Sequence, residues 1–144
     1  MNYLSTEEKI DDLILDAGIQ VISGAPDNFA LALQNSRYIC LADDLPEDIR
    51  ILAKAHEYAH FKTNTLYDRG ENDKRMIGKC EETAFRYTAA LLLPHIKLCQ
   101  AIKKERTFDP YALGDCLSLP PSFVARCEKL YFEIKEMEIP YIEN

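Results

Sequence analysis

The spacing of apolar residues changes its period along the chain. Ile10, Leu13 and Ile14 recur at helical spacing, Ser5 and Glu8 offer a capping box ahead of them, and Gly18 is placed to end the helix. Residues 19–22, Ile-Gln-Val-Ile, read as a short strand, and residues 29–33 and 37–42 as a hairpin around Asn35-Ser36. Asp43-Asp44 ahead of Leu45-Pro46 predicts an aspartate-capped helix with proline in its first turn, running to Lys62. Residues 63–73 are polar and contain Gly70, so they read as a surface connection. Helices follow at 74–93, ending before Pro94, and at 95–104. The tail predicts two more, at 111–117 and 122–136. Its apolar positions, among them Leu113, Leu119, Phe123, Val124, Cys127 and Leu130, have helix-turn-helix spacing. The fold class is therefore α+β and mostly helical, with a short β-sheet or hairpin. One domain is expected over residues 1–144, with a core of about 1–106 and a helical appendage of about 107–144.

Composition narrows this picture without altering it. The 144 residues are 47% hydrophobic and 28% charged, ordinary for a globular protein, and a chain this long buries roughly 70% of its unfolded surface. No apolar run approaches the ~20 residues that span a bilayer. Residues 1–12 are charged and lack the apolar core of a signal peptide, so a cytoplasmic location is expected. A net charge of −7 opposes binding to phosphate backbones and tolerates a basic protein partner. The five cysteines are odd in number, scattered and never spaced as Cys-x-x-Cys. They are expected to be reduced and mostly buried, rather than disulfide-bonded or bound to a structural zinc.

The candidate chemistry lies in His56-Glu57-Tyr58-Ala59-His60. Positions i and i+4 of a helix share a face about 6 Å apart, so both imidazoles can reach one metal ion. Glu57 is turned about 100° away, where it can serve a water as base without itself ligating. Ile49, Leu52, Ala53, His56 and His60 fall on one helical stripe, which predicts that the histidines continue a buried face and need a partner. A third ligand is expected from the next helix. Ile77, Ala84, Phe85, Thr88 and Leu92 form its inward stripe, and Glu81 falls on that stripe, whereas Glu82 is expected in solvent. The rival third ligand is His95, just past Pro94. Bound zinc would polarise a peptide carbonyl and activate water, with Glu57 taking and returning the proton. A tyrosine or histidine is wanted for the oxyanion, and the eight tyrosines leave that choice open.

The His56–His60 segment, followed by the block from Glu81 through Ala84, Phe85 and the aliphatic run to Pro94, resembles the ImmA/IrrE family of metallopeptidases. The resemblance covers residues 45–94, and residues 101–130 are similar to the helical tail of that family's phage and mobile-element branch. It implies a zincin-like fold, an active-site helix and a glutamate-bearing second helix. It also implies Zn2+ on His56, His60 and Glu81, with Glu57 as the catalytic base. The implied substrate is a helix-turn-helix repressor, cleaved or otherwise inactivated to relieve repression. The chain departs from the family at Tyr58-Ala59, where a Leu-Gly-like pair is common, and at Lys54, where an uncharged residue is usual.

Other readings stay open on the residues alone. A metal-containing antirepressor would sequester its partner without cutting it, but would have no need of Glu57. A DNA-binding regulator would use the tail, yet its second helix carries Glu128, Glu133, Glu136 and Glu138 against Arg126, Lys129 and Lys135, the wrong balance for DNA. Zinc chemistry on a substrate other than a peptide is the third.

Overall fold

A computed structural model describes residues 3–143 and is α+β. Among these residues are six α-helices and one three-stranded sheet, and no helix is long and apolar enough to cross a membrane. Contacts divide the chain into two compact units, Met1–Thr88 and Ala89–Asn144, the division falling inside a helix.

In the first unit, α1 (Thr6–Asp16) begins at a complete capping box. Ser5 Oγ accepts from the Glu8 amide and Glu8 Oε1 from the Ser5 amide, each at 3.1 Å. Gly18, at φ +72°, takes the left-handed turn that lets the chain leave the helix. The strands β1 (Ile19–Ser23), β2 (Phe29–Leu33) and β3 (Ser36–Leu41) form a sheet in the order β1-β3-β2. β3 runs parallel to β1 and antiparallel to β2, leaving β2 an edge strand. The hairpin turns on Gln34-Asn35, one residue earlier than expected, because Gln34 takes the positive φ of 53° and Leu33 pairs with Ser36. Asn28 fastens the β1–β2 connection to the end of β3 by accepting from the Ala42 amide at 2.8 Å.

Helix α2 spans Glu47–Lys62. The expected aspartate cap is not formed: Pro46 is the capping residue, no side chain bonds there, and Asp44 turns away at φ 57°. The core side of α2 is Ile51, Ala55, Tyr58 and Ala59, all at most 3% exposed. Ile49 is 42% exposed, so the stripe leading to His56 is not a core stripe but the flank between core and solvent. Helix α3 spans Lys74–Leu92, and Asp73 Oδ1 caps it by accepting from the amides of Arg75 and Met76. Ala84, Phe85 and Thr88 are buried as expected, while Ile77 and Glu81 are half-buried.

Both departures from the resembling pattern have a structural place. Tyr58 is 3% exposed and packs towards Tyr87, so its bulk goes into the core and not the cleft. Lys54 joins α2 to α1 through Glu7 and Asp11, each at 2.8 Å, and Arg50 grips both Glu7 oxygens at 2.7 Å. The fork on Glu7 fixes the angle between the helices as well as their separation.

The second unit holds α4 (His95–Glu105), α5 (Pro110–Leu117) and α6 (Pro121–Glu128), continued by a π-helical stretch over Lys129–Ile134. The helix expected over 122–136 therefore widens after Glu128; its Tyr131 hydroxyl donates to the Leu93 carbonyl at 2.7 Å. Helices α5 and α6 meet at a tight turn. A Cβ on Gly114 would stand 2.6 Å from the Leu119 carbonyl oxygen, so that contact exists only with glycine. All five cysteines are free, but only Cys40 and Cys127 are buried, fewer than expected.

Two outcomes follow. Gly114→Ala forces backbone apart and should destabilise by about 1–3 kcal/mol, read as a thermal midpoint several degrees lower. The Arg50 guanidinium, aided by Lys54, holds the Glu7 carboxyl down at about 2 against the opposing effect of burial. A depressed acid contributes stability above its ordinary pKa and loses it as pH falls through the depressed one. Glu7→Gln should therefore cost about 1 kcal/mol at pH 7, and urea midpoints of variant and wild type should converge as pH falls from 4.5 towards 2.

Candidate metal centre

The four-residue spacing on α2 brings the His56 and His60 rings edge to face, with centroids 4.9 Å apart. Their ligand atoms and a Glu57 oxygen all lie within 4.8 Å of one another, a group able to hold a metal ion. Glu81, from α3, makes the shorter contacts: its Oε2 is 3.0 Å from His56 Nε2 and 2.6 Å from His60 Nε2. The four residues singled out from the sequence are thus brought together. Direct contact with both imidazoles favours Glu81 over Glu57 as the third donor, although Glu81 is the more exposed carboxylate.

The connection after α2 fixes these donors. His60 Nδ1 faces the Thr65 carbonyl at 3.1 Å, and a carbonyl only accepts, so Nδ1 carries the proton. In the neutral ring Nε2 is then left with its lone pair towards Glu81. Thr65 is held in turn: its hydroxyl lies 2.8 Å from that of Thr63, which donates to the Ala59 carbonyl. Tyr67 donates its hydroxyl to Glu81 Oε1 at 3.1 Å, leaving Oε2 for the histidines, and packs its ring edge-on to His60.

Electrostatics follow from these contacts. In their charged forms both imidazoles donate from Nε2, and these hydrogen bonds hold the Glu81 carboxyl well below the usual carboxylate range, outweighing its desolvation. Burial pulls the His60 imidazole down, but the Glu81 carboxylate more than offsets this and raises it. Burial, with Glu81 adding, pushes the Tyr67 phenol up to about 12, so it stays a donor at neutral pH. Glu57 is 7% exposed and raised by burial, and its Oε2 is buried with no hydrogen-bond partner. An orphaned buried carboxylate oxygen is costly unless something binds it. Beside three converging donors, it fits a metal site with one position left for water and substrate.

The site opens into a cavity of about 210 Å3. Phe29 and Ala30 of edge strand β2 line it, with Tyr67 and Arg69 of the connection and Glu57 and His60 of α2. Residues 63–73 are therefore more than a surface connection: Thr65 contacts His60, and Leu66, Tyr67 and Arg69 line the cavity. No periodic signal in the sequence marks them, since consecutive residues, Leu66 and Tyr67, both line the cavity. The rival ligand goes elsewhere, since His95 Nε2 bonds the Glu138 carbonyl at 2.8 Å in the second unit. Glu82 pairs with Arg86 along α3, at 3.1 Å.

No family model, curated protein or solved structure matches the chain.

Tyr67→Phe removes the donor to Glu81 Oε1 and keeps the ring. Zinc affinity, measured by competition with a chromophoric chelator, should fall by about 10-fold. An unchanged affinity would show that the phenol does not orient Glu81.

Proposed function

We propose that the chain is a zinc-dependent peptidase with a zincin-like site, related to the ImmA/IrrE metallopeptidases. The observation that carries this reading is the orphaned Oε2 of buried Glu57 beside His56, His60 and Glu81. Two neutral nitrogens and a carboxylate oxygen form a donor set suited to zinc. Held by them, zinc would supply Lewis acidity, polarising a peptide carbonyl and making water nucleophilic near neutral pH.

The chain's own groups supply the rest. Glu57 accepts a proton from the attacking water at its free oxygen and returns it to the departing amine. Tyr67 commits its one hydroxyl proton to Glu81 Oε1 and so keeps Oε2 turned to the imidazoles. Thr65 keeps the proton of His60 on Nδ1, so that Nε2 remains a donor atom. Edge strand β2 supports a peptide substrate, because an extended chain can add to an open sheet edge beside the site.

The substrate we propose, on the resemblance, is a helix-turn-helix repressor met in the cytoplasm. Neither DNA nor RNA enters the reading, since a net charge of −7 opposes it.

The test is incubation of a candidate repressor with zinc-loaded protein. Wild type should cut it, while Glu57→Gln should keep its zinc and lose at least about 100-fold in rate. Equal relief of repression by both proteins with no cut would replace the peptidase by a non-cleaving antirepressor.

A further inference from the structure

Arg69 lies on the wall of the same cavity. Its guanidinium makes two parallel bonds to Asp27, Nη1 to Oδ1 at 2.8 Å and Nη2 to Oδ2 at 3.0 Å. The same group sits 4.1 Å from the centre of the Phe29 ring, which sets the plane of the fork. The platform is firm: Phe29 opens β2, and neighbouring Asn28 is fastened to Ala42. Yet the ion pair itself is open, with side chains 49% and 60% exposed. A pair built only for stability gains little at such exposure, and water or another carboxylate can exchange into it at small cost.

Charge in the cavity points the same way. Among its described lining residues, Arg69 is the only permanent cation, against the carboxylates of Asp27, Glu57 and Glu81. Glu81 is engaged by the imidazoles, and Glu57 is buried at the floor. The one carboxylate an incoming group can displace is Asp27.

We propose that Arg69 selects the substrate: its stacked fork takes up a carboxylate of the bound peptide, and Asp27 occupies that place until the peptide arrives. This rests on the reading of the cavity as a peptide site. The carboxylate is an acidic side chain near the reacting bond or the peptide's free C-terminus, which present the same planar pair of oxygens. Arginine suits this where lysine does not, because the fork fixes orientation as well as charge.

The test measures binding to zinc-loaded full-length protein carrying Glu57→Gln, so that no cutting intervenes. The fluorescently labelled probes are acetyl-Ala-Ala-Glu-Ala-Ala-amide, its Gln counterpart, and an all-alanine pentapeptide with a free C-terminal carboxylate. The Glu probe or the free-carboxylate probe should bind about 10-fold tighter than the Gln probe, and whichever does identifies the source. Adding Arg69→Gln should erase the preference, Arg69→Lys should keep only part of it, and Asp27→Asn should strengthen it. Equal affinity for all probes, a preference that survives Arg69→Gln, or no measurable binding would each overturn the proposal. Cleavage of the probes by wild type without an Arg69-dependent preference removes this proposal and leaves the peptidase. An Arg69-dependent preference with no cleavage of any probe does the reverse.

Discussion

Lone-pair atoms repel one another at hydrogen-bond distance unless a proton or a cation lies between them. Glu81 Oε2 sits within 3.0 Å of both His56 Nε2 and His60 Nε2, and the Thr65 carbonyl claims the proton on the far side of the His60 ring. The centre of this unit is thus a place that demands positive charge. The rest of the unit serves to hold three donors there. Helix geometry aligns the two imidazoles, Asp73 starts α3 so that Glu81 arrives opposite them, and the connection between the helices locks the outer atoms of His60 and Glu81.

A metal site that admits a substrate, as proposed, cannot lie in the core. This explains why the helical stripe carrying the histidines is half-open at Ile49 and closes only at His60, while Ile51, Ala55 and Tyr58 do the packing. Burying an isoleucine side chain contributes about 1.5–3 kcal/mol, so α2 is anchored through that second stripe and through Lys54 and Arg50 on Glu7. Where the resembling pattern prefers an uncharged residue, Lys54 ties α2 to α1. The departure is a matter of support and leaves the donor atoms untouched.

The parts legible in the sequence were those set by local rules. The Ser5–Glu8 box, the stop at Gly18, the break at Pro94 and the i, i+4 histidines each depend on residues a turn or less apart. Glu81 was legible for a related reason, since a carboxylate on an apolar stripe has to answer to something. What escaped was set by distant contacts. Asp44 looked like a helix cap, but a left-handed turn carries it away and Pro46 takes the position. Thr65, Tyr67 and Arg69 looked like loop, because only the folded chain places them against His60, Glu81 and Asp27. The widening of the last helix has no marker in its apolar spacing.

The central claim is that His56, His60 and Glu81 hold one metal ion. Its most direct test is the metal content of protein purified with zinc supplied, for the wild type and for His60→Ala, by elemental analysis after exhaustive dialysis. The account predicts one zinc per wild-type chain and a loss of most of it in the variant, with the variant still folded by circular dichroism. A wild type without stoichiometric metal, or a His60→Ala protein that keeps it, would contradict the account.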